Sequence, residues 1–200
     1  MIRLFVALPL PAELRFRLAG LAGGVPGARW VEAEDLHLTL RFIGEVDEGR
    51  LADLDAELIR VDAEAFPLVL DGVGHFGTGR NIHTLWIGAE RNEALFQLQA
   101  KVEAAVLRAG FPPEPRKFAA HVTLARLKDG NPERVMRFLA GNNLFRSLPF
   151  PVTGFALYRS HLGRGGARYE IVNAYSLTGG PAEPLEPPEP LEPPEGDGLS

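Results

Sequence analysis

The chain has no cysteine. That excludes a disulfide framework, a thiol nucleophile and a Cys-ligated zinc, and it fits a reducing compartment. Long apolar runs are missing too. The opening Met1-Ile2-Arg3-Leu4-Phe5-Val6-Ala7-Leu8 reads as a buried strand, interrupted by Pro9 and Pro11 too soon for a signal peptide or a membrane span. There is no His-Glu-x-x-His, no Walker loop and no Gly-x-Ser-x-Gly, which sets aside zincin, P-loop and nucleophile-elbow chemistry. The run Gly163-Arg164-Gly165-Gly166 has the composition of a phosphate loop, but it lies between two strand-like segments and not ahead of a helix. It reads as a hairpin turn.

A large excess of one charge is also absent from most of the chain. The formal charge is −5, but the last twenty residues carry six acids and no base. The preceding 180 residues hold 20 acids and 21 bases, about +1. A near-neutral body with local arginines is compatible with an anionic ligand. In the tail, Glu-Pro-Leu-Glu-Pro-Pro occurs twice in tandem, from Glu183 and from Glu189. Seven prolines and six acids cannot build a core, so residues 181–200 are expected to form a disordered or polyproline-like, solubilising extension. The 46% hydrophobic content is that of an ordinary globule, and 200 residues suffice for one sizeable domain or two small lobes.

What the chain does have is a repeated tetrapeptide. His37-Leu38-Thr39-Leu40 and His121-Val122-Thr123-Leu124 share the pattern His-apolar-Thr-apolar. Alternation of this kind marks a strand with one buried face, and it puts His and Thr on the same side. The elements around the two copies run in parallel. Strands are expected at 2–8, 36–43, 66–76 and 82–88, with helices at about 12–22 and 48–61. The second half offers helices at about 92–109 and 132–140 and strands at 118–126, 149–159 and 168–177. Gly110 and Pro112 end the long helix, and Asn131-Pro132 begins the next. The body, residues 1–180, divides near residue 90, and a helix precedes the motif strand in each half. An α+β, bilobal fold follows, with antiparallel sheets lining a cleft.

Two imidazoles facing each other across a cleft can hold one general base and one general acid near neutral pH. Without cysteine or metal-ligand spacing, the chemistry most easily assembled from them is metal-free transfer at phosphorus, with no cofactor. A base takes the nucleophile's proton, an acid protonates the leaving oxygen, and Thr hydroxyls hydrogen-bond the phosphoryl oxygens. Arg41 shares the parity of His37 and Thr39, so it is expected on their face as an anion clamp. Arg126 lies five residues past His121 and falls on the opposite face unless a bulge or the strand end returns it. Tyr158 and Ser160 are candidate nucleotide contacts. Core packing is the expected job of Trp30 and Phe42, with one of them stacking on a base as the other reading. His75 and His83 read as structural residues, and His161 closes the Tyr158-Arg159-Ser160 strand end.

These blocks resemble the two-histidine (2H) phosphoesterase superfamily. Arg3-Leu4-Phe5-Val6-Ala7-Leu8-Pro9-Leu10-Pro11, His37 to Val46, Phe118 to Arg126, and Phe155-Ala156-Leu157-Tyr158-Arg159-Ser160 are similar to blocks of the RNA 2′,3′-cyclic phosphodiesterases, long called 2′-5′ RNA ligases. The resemblance spans about residues 1–178. It implies two pseudo-symmetric lobes with outer helices, and a metal-free opening of a terminal 2′,3′-cyclic phosphate on RNA to a 2′-phosphomonoester. It also implies His37 as proton donor to the departing 3′ oxygen, His121 as proton acceptor from water, and Thr39, Thr123 and Arg126 as phosphate ligands. The residues alone leave the order of acid and base open. Ala120 departs from the proline usual before the second histidine. The ligase direction and a non-catalytic binder of 2′-phosphorylated RNA ends are the alternatives. A cytoplasmic monomer, no membrane contact, and RNA ends or nucleotides bearing 2′,3′-cyclic phosphate as partners complete the expectation.

Overall fold

The computed structural model describes residues 1–128, 130–163 and 166–179. The Pro/Glu tail and the Arg164-Gly165 tip of the expected hairpin turn lie outside the described residues. The elements, in order, are β1 (Ile2–Pro9), α1 (Ala12–Ala19), β2 (Ala28–Trp30), β3 (His37–Val46), α2 (Leu51–Leu58), β4 (Phe66–Leu68) and β5 (Leu70–Phe76). Then come β6 (Thr84–Ala89), α3 (Glu93–Arg108), β7 (His121–Leu127), α4 (Pro132–Asn142), β8 (Phe150–Val152), β9 (Gly154–Gly163) and β10 (Gly166–Ser176).

The helices form where their ends are capped and one stripe is apolar. Asn131 caps α4 by accepting from the N–H groups of Glu133 and Arg134, with Pro132 in the first turn. Asn92 caps α3 through the N–H of Leu95. Gly110, at φ +81°, follows the end of α3 in the left-handed region that glycine adopts without strain. Each helix turns an apolar stripe inward: Leu14 and Leu18 on α1, Leu54 and Leu58 on α2, Leu95, Leu98, Val102 and Val106 on α3, and Val135 and Phe138 on α4 are buried in one core under the sheet.

The strands form an antiparallel sheet in the order β10-β9-β1-β3-β7-β6-β5, with β2 also on β7. Its centre is barely joined. Among the described residues β3 meets β7 through the single pair Leu38↔Val122. The sheet therefore divides into a first lobe of β3, β1, β9 and β10 and a second lobe of β7, β6 and β5. The element order repeats: β1-α1-β3-α2-β4-β5 is followed by β6-α3-β7-α4-β8-β9. The lobes do not follow the sequence halves. The last strand of each repeat pairs with the first strand of the other, β5 with β6 and β9 with β1.

A pseudo-twofold relates the repeats. It passes between the equivalent residues Leu38 and Val122, and between Pro67 and Pro151, which pair where the short β4 and β8 cross. Those two strands differ from the continuous strands expected at 66–76 and 149–159. The chain breaks at Val69 and at Thr153, so that three residues pair across the twofold while the rest join the main sheet. Leu38 and Val122 are fully buried. That burial forces His37, Thr39, His121 and Thr123 to the opposite, cleft side of the sheet.

Candidate active site

The register places the two motifs against each other. Around Leu38↔Val122 an antiparallel arrangement sets His37 abreast of Thr123 and Thr39 abreast of His121. Regular strand spacing then separates the two histidine Cα atoms by roughly 8 Å. All four motif residues are half-buried. Each imidazole is held the same way. His37 Nδ1 lies 2.7 Å from the carbonyl of Asp35, and His121 Nδ1 lies 2.7 Å from the carbonyl of Ala119. A carbonyl only accepts, so Nδ1 carries the hydrogen in both rings and Nε2 is left for the cleft. Burial pushes the His37 imidazole down to about 4, helped by the charges of His121 and Arg126 and opposed by the Asp35 carbonyl. His121 is lowered by burial and by Arg126, against the Ala119 carbonyl.

The bulge after each threonine decides what else reaches the cleft. On β3, Ala7 pairs with Thr39 and Val6 with Arg41, so Leu40 is the extra residue. On β7, Trp86 pairs with Thr123 and Leu85 with Ala125, so Leu124 is extra. An extra residue reverses the parity of everything after it. Arg41 is therefore turned away from the histidines, contrary to its expected place as an anion clamp. It is 5% exposed and is tied to Glu103, to Glu114 at 3.5 Å, and to the carbonyl of Pro112. The same inversion turns Arg126 toward the cleft. It is exposed, and its Nη1 donates to Oγ1 of the buried Thr84 at 2.9 Å. Its charge acts on both imidazoles.

Phe42 occupies the position equivalent to Arg126 and is 41% exposed, which corrects the expectation that it packs in the core. Trp30 packs on Phe138 as expected, at 5.4 Å between ring centroids. Tyr158 is buried, its ring 5.0 Å from Phe5 in a stack and 5.8 Å from His37. Ser160 pairs with Arg3, six residues along β1 from the Pro9 that pairs with His37. Ser160 also pairs with Tyr169 on β10, and it lines a surface hollow with Met1, Arg3, Glu45 and His161. His83 bonds Thr84 at 2.9 Å and His161 bonds Glu170 at 2.8 Å. His75 sits behind the sheet face that carries Trp86, on the neighbouring strand.

Four contributors carried no signal in the sequence. Thr84 braces Arg126. Phe76 and Trp86 wall His121, at 4.9 and 6.4 Å between ring centroids, and Trp86 lies across Gly74, where a Cβ would come within 2.3 Å of the indole. Tyr169, on β10, meets His37 edge-on at 4.9 Å. Among the described residues no group of three or more His, Asp or Glu side chains is arranged to hold a metal ion, and no helix is long and apolar enough to cross a membrane.

Paired Nε2 atoms, threonine hydroxyls and one guanidinium across a pseudo-twofold cleft are the equipment of a two-histidine phosphoesterase. The chain belongs to the LigT-like phosphoesterase family, whose family model matches it twice, over residues 8–86 and 87–169. An RNA 2′,3′-cyclic phosphodiesterase of Geobacillus stearothermophilus is 33% identical over 187 residues, which cover 88% of this chain and 58% of that protein. The chain thus spans little more than half the length of that relative. The RNA 2′,3′-cyclic phosphodiesterase of Escherichia coli strain K12 is 34% identical over 180 residues, 88% of this chain and 97% of its own. The crystal structure of E. coli LigT complexed with 3′-AMP superposes with a TM-score of 0.72 at 31% identity, covering 88% of this chain and 98% of that one.

Proposed function

We propose that the protein is an RNA 2′,3′-cyclic phosphodiesterase, opening a terminal 2′,3′-cyclic phosphate to a 2′-phosphomonoester without a metal. The observation that carries this reading is the matched pair of imidazoles, each with Nδ1 on a carbonyl and Nε2 free. Relatives bearing that activity in their names support the substrate class. In the proposed reaction His121 Nε2 takes a proton from water. The water oxygen attacks phosphorus in line, the P–O3′ bond breaks, and His37 Nε2–H protonates the departing 3′ oxygen. Thr39, Thr123 and Arg126 bind the non-bridging oxygens where negative charge develops. The substrates are RNA ends or nucleotides bearing the cyclic phosphate, and the reading carries with it a monomer acting in the cytoplasm.

The free site is primed for an anion. With His37 at about 4, about one molecule in a thousand carries the acid proton at pH 7. The desolvated ring cannot keep a charge beside Arg126 until a counter-charge arrives. The phosphodiester supplies it, so substrate and acid proton enter together. The test is incubation with an oligoribonucleotide ending in 2′,3′-cyclic phosphate, in EDTA, with the product ends identified. The reading expects a 2′-phosphate. No conversion, or a 3′-phosphate, contradicts it.

A further inference from the structure

The pseudo-twofold makes each lobe a control for the other. Groups present in both lobes serve the symmetric part of the work, namely the two imidazoles and the two threonine hydroxyls. Groups present in one lobe answer to what is asymmetric in the ligand. Arg126 and Tyr169 are two such groups. Arg126 stands where the first lobe has Phe42. Tyr169 comes from β10, which flanks β9 in the first lobe and, among the described residues, has no strand counterpart beyond β5 in the second.

Tyr169 is held firmly. Its ring meets His37 at 4.9 Å and 88°, and Phe5 at 5.1 Å and 81°. Its backbone N–H donates to Oδ1 of the buried Asp35 at 3.2 Å. The Asp35 carbonyl is also the group that holds His37 Nδ1, so one residue fixes both the tyrosine's strand and the histidine's tautomer. The phenol is half-buried. Its hydroxyl has no hydrogen-bond partner among the described residues and is not sealed from solvent. Burial and the Asp35 carboxylate hold the phenol's pKa above its ordinary value, and the charge of Arg126, from the other lobe, opposes them. Tyr169, packed on His37, and Arg126, turned to the cleft by the bulge at Leu124, thus border one cleft from its two lobes.

We infer that the Tyr169 hydroxyl donates a hydrogen bond to a non-bridging phosphate oxygen from the His37 side of the cleft, opposite Arg126. The inference deepens the phosphodiester reading and rests on it. A phenol has one O–H to give, and an anionic acceptor makes that bond short and strong. With Arg126 on one side and Tyr169 on the other, the bound phosphate meets an asymmetric pair of donors. The two histidines, alike in their own hydrogen bonds, are then not interchangeable toward it.

Tyr169→Phe removes the hydroxyl and keeps the ring against His37 and Phe5; Tyr169→Leu removes both. The probe is inorganic phosphate, measured by calorimetry and as a competitive inhibitor of adenosine 2′,3′-cyclic phosphate hydrolysis. Y169F should weaken phosphate roughly tenfold or more and lower kcat/KM to match. The histidine limbs of its pH profile should stay in place, while Y169L displaces the His37 limb. If Y169F binds phosphate within twofold of the wild type, Tyr169 only packs and the inference is overturned. If the wild type binds no phosphate, it is overturned as well. Calorimetry needs no turnover. A wild type that binds phosphate but leaves the cyclic phosphate unopened would remove the proposed reaction, while the Y169F comparison still decides the phosphate contact.

Discussion

Replacing His37 with Gln should change how stability depends on pH, in a direction fixed by the burial of the ring. The folded imidazole titrates at about 4 and the unfolded one near 6.5. As pH falls, the unfolded chain therefore binds this proton first, and the folded state loses ground. The sign is that of a histidine with a depressed folded value: its contribution is fully present above pH 6.5 and is lost on acidification toward pH 4. At 1.36 kcal/mol per pH unit the whole effect is about 3 kcal/mol, of which about 2.5 kcal/mol is lost by pH 4.5. His37→Gln cannot take up the proton, so it should be spared that loss. Urea unfolding of both proteins at pH 7.5 and pH 4.5 isolates the difference, since every other titrating group is shared. The wild type should lose about 2.5 kcal/mol relative to the variant. A gap constant to within about 0.5 kcal/mol would refute the desolvated, neutral His37 on which the account of the free site depends.

Other perturbations separate the two faces of the sheet. Arg41→Met leaves Glu103 without its cation and Glu114 with Arg116 alone, and should cost about 3 kcal/mol in urea unfolding, with KM of the folded enzyme within about threefold; a large rise in KM at unchanged stability would put Arg41 back on the phosphate. Thr84→Val removes the acceptor that aims Arg126, and KM should rise several-fold with the urea midpoint little changed. Gly74→Ala drives a methyl into the Trp86 indole and should destabilise by about 1–3 kcal/mol, with a shift in tryptophan emission that reports the moved ring.

The motif histidines and threonines were legible because a strand's alternation is a local property, and Leu38 and Val122 hold it against the core. Asn131-Pro132 and Gly110 marked helix ends for the same local reason. The arginines were misread at Arg41 and undecided at Arg126 because one extra residue, Leu40 or Leu124, inverts parity, and a bulge depends on the partner strand. Phe42 followed the same inversion into solvent. Tyr169 and Thr84 lie in no motif. They reach the cleft through long-range pairing of β10 with β9 and of β6 with β7, which no window of sequence contains. The crossed exchange of β5 and β9 between lobes was hidden likewise, although the repeat itself could be read from element order.

The central claim, that the two histidines divide the work of acid and base, is tested most directly by His37→Ala and His121→Ala on two substrates in EDTA. One is a nucleoside 2′,3′-cyclic phosphate. The other carries sulfur in place of the 3′ oxygen, and a thiolate departs without needing a proton. Both variants should lose about 10²- to 10⁴-fold on the oxygen substrate. His37→Ala should regain most of its rate on the sulfur substrate, whereas His121→Ala should not. Rescue of His121→Ala in place of His37→Ala would reverse the roles, and full activity in either variant would contradict the two-histidine mechanism.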